Sequence, residues 1–401
     1  MKKILSVLLA AVLLLTMCAA FTGCEKEPAT SGSSDFKVGA IYINSKNDTA
    51  GYTYAHHKGI TTAMKDAGLD PDKDLAIIDN VAENADDVKK AIDTLVGQGC
   101  KMIIGISFGY IEAMAEKAEE YPDVIFSHAT GYKSNEKNFN NYFGRIYQAR
   151  YLAGIAAGLK SLELNNYNIG YVAAYGTEYA ETCSGINAFA LGAQAVNPEA
   201  IVHVNVLNAW ADEINEKAMA EDLIDNYNCG VIAQHCDSAQ PQIAAEAKGV
   251  FGCGYNSDMN ADAPKAHLTA PIWHWNVYYQ LAIETAKNDP THFMEKVGNY
   301  YGGLKEGMVA ISDLSENCAP NTKEYTDAVT ELIKSGEWDV FSGVKLSFDK
   351  DGKIVKTDAD LKDSAGNVIV AAGGKSVEDS VIQGSMNYYV AGVQQETGAQ
   401  N

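Results

Sequence analysis

From residue 36 onward, short apolar runs alternate with amphipathic stretches. Phe36-Lys37-Val38-Gly39-Ala40-Ile41-Tyr42-Ile43 reads as a strand, and Ile60, Ala63 and Met64 fall at helical spacing within residues 51–68. Leu75-Ala76-Ile77-Ile78, Lys101-Met102-Ile103-Ile104-Gly105-Ile106 and Val124-Ile125-Phe126-Ser127-His128 read as further strands, with helices over 85–99 and 111–121. The pattern then restarts. A helix over 147–161 leads to strand 168–173, helix 182–197, strand 201–207, helix 211–227 and strand 230–234. Strands that are apolar throughout, rather than at alternate positions, are buried on both faces; their alternation with helices predicts parallel sheets covered on either side. Two successive sets predict an α/β fold of two similar Rossmann-like lobes joined by a hinge. Toward the C-terminus, a helix over 323–335 precedes a hairpin signal, Asp349-Lys350-Asp351-Gly352, between 344–348 and 353–356. A second hairpin over 361–372 turns around Ser364-Ala365-Gly366-Asn367, and the polar tail beyond Gln394 reads as frayed.

The first 35 residues follow another pattern. Lys2 and Lys3 precede an uncharged run from Ile4 to Ala20, and Phe21-Thr22-Gly23-Cys24 closes it. This reads as a lipoprotein signal peptide over 1–23, with Cys24 acylated and the folded body held at the outer face of the cell membrane. Residues 24–35 are small, polar and unpatterned, and read as a flexible tether.

Charge and cysteine usage narrow the partners. A formal net charge of −21 argues against nucleic acid and against an anionic ligand drawn in by long-range attraction. Beyond Cys18 and Cys24, the six remaining cysteines show neither a CxxC pair nor zinc spacing. His56 and His57 diverge as helical neighbours, and no nucleophile loop accompanies His235, so neither a metal site nor an enzyme is expected. No cofactor is called for.

In open parallel sheets, ligands bind beyond the carboxyl ends of the strands, and two facing lobes share one cleft there. The loops at those ends carry Tyr52, Ser107-Phe108-Gly109-Tyr110, Thr130-Gly131-Tyr132, Tyr175-Gly176-Thr177-Glu178, Trp210-Ala211-Asp212, His235-Cys236-Asp237-Ser238 and Tyr255-Asn256-Ser257-Asp258. Aromatics clamp a flat ring, and carboxylates or amides read its polar edge, which suits a heteroaromatic ligand such as a nucleobase. The competing expectation is that these aromatics pack the hinge and the acids cap helices.

Several of these segments, with Arg150-Tyr151-Leu152-Ala153-Gly154 and Leu268-Thr269-Ala270, resemble the basic membrane protein family, the purine-nucleoside-receptor-like lipoproteins. The resemblance runs from about Phe36 to Ile311. It implies the type I periplasmic-binding-protein fold and a substrate-binding component of an ABC importer, a monomer working with permease and ATPase subunits. Lobe 1 is then 36–146 plus about 271–303, and lobe 2 is 147–270 plus about 304–394. Gln234-His235-Cys236-Asp237-Ser238 and His128-Ala129-Thr130-Gly131-Tyr132-Lys133 are similar to an adenine-binding subgroup. In this comparison Tyr52 and Trp210 sandwich a purine and Phe108 borders it. Asp237 or Asp258 accepts a hydrogen bond from it, and Gly109, His235 and Ser238 complete the wall. Trp273 stands where nucleoside-binding members carry a ribose-holding Lys, which favours a purine base over a nucleoside. The alternative is a membrane-tethered sensor for a small heteroaromatic solute.

Overall fold

The computed structural model describes residues 36–397, so the signal peptide, the tether and Cys24 lie outside the described residues. In chain order the first half contains β1 Lys37–Ile41, α1 Gly51–Asp66, α2 Pro71–Asp74, β2 Leu75–Ile78, α3 Ala85–Gly97, β3 Cys100–Gly105, α4 Ile111–Glu120, β4 Ile125–Ala129 and β5 Phe139–Gly144. Next come α5 Ile146–Glu163, β6 Asn168–Ala173, α6 Ala180–Val196, β7 Ile201–Val206, α7 Glu213–Tyr227, β8 Val231–His235, α8 Gln240–Lys248, β9 Phe251–Cys253 and β10 His267–Thr269. The remainder is β11 Pro271–Trp273, α9 Trp275–Asn288, α10 Phe293–Lys296, β12 Tyr300–Gly302, β13 Val309–Ile311, α11 Thr322–Ser335, β14 Val344–Phe348, β15 Ile354–Asp358, β16 Leu361–Lys362, β17 Val368–Val370, α12 Asp379–Gly384 and β18 Val393–Gln395.

Two parallel six-stranded sheets result. One has the order β12-β5-β4-β3-β1-β2, the other β10-β9-β8-β6-β7-β18. The chain passes between them at Arg145, at β11 and before β13, and β11 pairs antiparallel with β13 from Pro271–Ile311 to Trp273–Val309. Local chemistry sets the helix starts. Asn84 caps α3 by accepting from the Asp87 amide at 3.0 Å. Asp212 caps α7 at the Asn215 amide, and Glu216 reaches back to the Asp212 amide at 2.9 Å. The acidic turn at Asp70 caps the short α2 at the Asp72 amide.

Helices α5 and α6 touch through backbone. A Cβ on Gly154 would lie 2.1 Å from the Phe189 carbonyl oxygen, and one on Gly192 would lie 2.0 Å from that of Tyr151. Neither oxygen can move without shifting a helix. Gly154→Ala is therefore expected to lower stability by about 1–3 kcal/mol in a denaturant melt. Gly97→Ala, where nothing stands within 4 Å, is expected to stay within about 0.5 kcal/mol of the parent.

The elements depart from the sequence pattern in three places. Strand β5 carries Asn140 and Asn141, which interrupt its apolar signal. Asn140 is nevertheless buried, satisfied by the Tyr278 hydroxyl at 2.9 Å and the Gly298 carbonyl at 2.6 Å. Helix α9 opens its buried face with aromatics, Trp275, Tyr278 and Tyr279, rather than aliphatics, and Ala282, Ile283 and Ala286 continue it. The tail past Gln394 is not frayed there: β18 adds to β7, and Glu396 bonds the Val204 carbonyl and His203, each at 2.8 Å. Edge pairing uses main-chain groups, which leave no side-chain signature. The six described cysteines are free thiols, and no described helix is long and apolar enough to cross a membrane.

Candidate functional site

The carboxyl ends of both sheets open onto one cavity of about 760 Å³. Tyr52, Phe108, Tyr132 and Asn141 face it from the side of the first sheet, and Tyr179, Glu181, Trp210, His235, Asp237 and Tyr255 from the second. Its volume falls in the usual range for small-molecule sites.

The aromatic walls are held from behind. Tyr52, in the first turn of α1, packs edge-on against His56 at 4.3 Å and Trp275 at 6.2 Å. His56 in turn stacks on Trp275 at 3.9 Å and bonds the Tyr279 hydroxyl at 2.6 Å. Trp210 leans on Tyr175 at 4.7 Å and Tyr179 at 5.7 Å. Phe108 meets Tyr179 edge-on at 6.3 Å, a contact between residues of the two sides. Glu83 fixes the turn that presents Phe108 by accepting from the Ser107 hydroxyl at 2.5 Å and the Gly109 amide at 2.8 Å. A Cβ on Gly109 would lie 2.6 Å from Glu83 Cβ. The two sides also touch at Gly51, whose φ is +83°; a Cβ there would fall 2.2 Å from the Asp237 carbonyl oxygen.

The polar wall belongs to the second sheet. His235 Nε2 stands 3.0 Å from Glu181 Oε2. Burial drives the His235 pKa down to about 4, with Arg150 pushing the same way against Glu181. Burial raises that of Glu181, but His235 and Arg150 outweigh it and hold the carboxyl below its ordinary value. The pair is a neutral imidazole donating to a carboxylate, whose other oxygen is buried without a partner. Arg150 lies beneath, bonded to the Tyr171 hydroxyl at 2.6 Å and the Gln234 carbonyl at 3.0 Å, with its guanidinium 3.9 Å from the Tyr255 ring centroid. Asp237 Oδ1 accepts from Asn256 Nδ2 at 2.9 Å. Burial first, then Glu216, pushes the Asp237 carboxyl up to about 8 against that hydrogen bond. The Asp237 amide bonds the Trp210 carbonyl at 3.0 Å, which ties the two loops together.

Five of the sequence-derived residues line the cavity together: Tyr52, Phe108, Trp210, His235 and Asp237. Four do not. Gly109 supports the Phe108 turn from behind, and Ser238 Oγ is taken up by Glu216. Asp258 is exposed, accepting from the Asn260 amide at 2.9 Å beside His267. Trp273 is 5% exposed and stacks on Trp275 at 4.3 Å, in the hinge strand rather than the wall. At Trp273, therefore, hinge packing describes the placement. Among the described residues, no group of three His, Cys, Asp or Glu is arranged to hold a metal.

Other wall residues went unread in the sequence. Glu181 lies in the first turn of α6, just ahead of residue 182, where the sequence pattern begins that helix. Asn141 and Tyr300 lie on β5 and β12, strands without an apolar signature. Tyr132 and Tyr255 stood in loops already singled out, and only the fold separates them from their neighbours.

A family profile described as "ABC transporter substrate-binding protein PnrA-like" matches residues 36–342. A purine-binding protein of Brucella abortus is 34% identical over 368 residues, covering 91% of this chain and 95% of that protein. A putative ABC transporter glucose-binding protein of Haloferax volcanii is 38% identical over 250 residues, 62% of this chain and 61% of that protein's length. Among solved structures, solute-binding proteins of ABC transporter systems from Aeropyrum pernix and Conexibacter woesei superpose with TM-scores of 0.62 and 0.59 at 15% and 20% identity. These superpositions cover 79% and 76% of this chain and 94% and 98% of theirs. The two parallel-sheet lobes have the type I periplasmic-binding-protein fold.

Proposed function

The chain belongs to the PnrA-like family of ABC transporter substrate-binding proteins, and we propose that it captures a purine base, adenine first among them, between its two lobes. The family works outside the cytoplasm, delivering solute to a permease and ATPase. The body is then a monomer tethered through a lipid on Cys24, with lobe 1 as 36–146 plus 271–303 and lobe 2 as 147–270 plus 304–394. The carrying observation is the wall itself: Tyr52, Phe108 and Trp210 offer faces and edges to a flat ring, while Asp237 and Glu181 offer hydrogen-bonding groups for its rim. The near full-length likeness to a Brucella protein named as purine-binding supports it.

In the mechanism, ligand bridges the aromatic groups of the two lobes and displaces water. It stabilises the closed form through contacts that the open form lacks. The permease recognises closure and releases the ligand on reopening.

Capture of a sugar is the second reading, favoured by the name of the Haloferax relative, since aromatic faces and carboxylates also hold a pyranose. Calorimetric titration separates the two. The protein is unfolded and refolded to strip carried-over ligand, then titrated with adenine, adenosine, AMP and glucose. Adenine is expected to bind tightest and glucose not detectably; the reverse order replaces the purine reading with the sugar one. AMP is expected at least about tenfold weaker than adenosine, because no Lys or Arg lines the cavity while Glu178 and Glu181 do, and like charges brought together are costly.

A further inference from the structure

We propose that residues 379–384 form a third wall of the ligand site. In it Ser380 and Gln383 select the ligand at the cavity mouth, and the Arg145–Asp379 ion pair holds that wall in position. The proposal rests on the reading of the cavity as the ligand site. The segment lies past residue 342, where the family match stops, yet Ser380, Gln383 and Gly384 border the cavity.

The segment is fixed from two directions. On the side of the second sheet, Asn187 of α6 donates to the Tyr388 carbonyl at 2.7 Å and accepts from the Val390 amide at 2.9 Å. Ile382 and Met386 are each 1% exposed and pack into the core there. On the other side, Asp379 takes a two-pronged contact from Arg145, Nε to Oδ1 at 3.2 Å and Nη2 to Oδ2 at 2.5 Å. Planar two-point pairing of this kind fixes orientation as well as distance. Arg145 stands at the first passage between the sheets. Its amide donates to the Gly302 carbonyl at 2.7 Å, its Nη1 to the Tyr301 carbonyl at 2.5 Å, and its guanidinium lies 4.8 Å from the Tyr301 ring. Gly302 and Tyr301 belong to β12 of the first sheet, and Tyr301 is itself a cavity residue. Asp379 thus links a segment anchored on the second lobe to an edge strand of the first, beside the cavity that Ser380, Gln383 and Tyr301 line.

The chemistry of this wall is uncharged. The Gln383 amide and the Ser380 hydroxyl can each donate and accept, and both residues are exposed. They suit an uncharged ligand that carries a hydrogen-bonding group at its outward end. Asp379 and Arg145 act through position, since neither lines the cavity.

The test uses the full chain with Asp379→Asn, Asp379→Glu and Gln383→Ala. Hydrogen exchange without ligand is followed at 300–304 and 379–386, with calorimetry on adenine and adenosine. Asp379→Asn is expected to speed exchange in both segments and to weaken adenine about tenfold, the scale of one charge-assisted contact. Asp379→Glu, which keeps the charge, recovers part of that loss. Gln383→Ala leaves exchange unchanged and shifts the adenine-to-adenosine preference by about threefold or more, as expected for one neutral hydrogen bond. Unchanged exchange in Asp379→Asn overturns the proposal whatever the ligand is. So do affinities of all three variants within about twofold of the parent while Trp210→Ala still loses binding, since a contributing contact costs more than that. If the parent binds neither adenine nor adenosine, the purine reading fails instead, and exchange alone decides the wall.

Discussion

Trp210→Ala is expected to weaken adenine binding by about 10- to 100-fold, because stacking of one base on one aromatic face contributes about 1–3 kcal/mol. The ring is partly exposed at the cavity, and its contacts behind are edge-on to Tyr175 and Tyr179, so its loss removes a ligand surface more than a core. Trp210→Phe keeps a face and is expected to lose only a few-fold, since a smaller ring still stacks. Tyr52→Ala is expected to reach a similar loss of affinity but to lower the melting temperature as well, since Tyr52 covers His56 and Trp275. Its hydroxyl is buried without a partner, which makes Tyr52→Phe the informative control. If the hydroxyl meets the ligand, Phe weakens binding; if the ring alone acts, Phe matches the parent. The double Ala variant should show no measurable heat. Titration and melts on the same preparations separate loss of the site from loss of the fold. Unchanged adenine affinity in Trp210→Ala and Tyr52→Ala would withdraw the purine reading.

The contrast between Trp210 and Trp273 shows what the sequence could carry. Both are tryptophans near strand ends. The first sits in a loop between a read strand and a read helix, so its place at the cleft followed from the sheet rule alone. The second sits on β11, a three-residue strand whose meaning comes from pairing with β13 nearly forty residues later. Long apolar strands such as β3 and β6 announce themselves because burial on both faces demands it. Strands β5 and β12 do not, since their polar and aromatic residues are satisfied by distant partners such as Tyr278, Gly298 and Arg145. The cavity inherits this division. Residues on loops after legible strands were found. Asn141, Tyr300 and Glu181, on elements whose limits depend on tertiary contacts, were not, and the wall at 379–384 had no local signal at all.

Asp237 is expected to make binding depend on pH above neutrality. Its carboxyl, pushed up to about 8 from an ordinary 3.8, keeps its proton at pH 7. Asn256 donates to Oδ1, which leaves Oδ2 to carry the proton and to serve as a donor to a ligand in the cavity that Asp237 lines. A purine ring offers nitrogen lone pairs to such a donor. Adenine affinity should therefore be flat from about pH 6 to 7 and fall by up to tenfold per unit above about pH 8, as the donor ionises. Asp237→Asn is the decisive variant. Its amide can keep the Asn256 bond through oxygen and donate through nitrogen, so affinity near pH 7 should persist and the pH dependence should vanish. If Asp237 instead accepts from a ring N–H as a carboxylate, the same variant loses affinity at pH 7, and binding by the parent strengthens as pH rises. Stability follows the same proton. Between the unfolded value near 3.8 and the folded value near 8, the folded chain holds a proton that the unfolded chain has released. Stability of the ligand-free protein should thus decline as pH climbs through that window and level off above it. Asp237→Asn should remove this part of the decline, which thermal melts at pH 5, 7 and 9 would read against the parent.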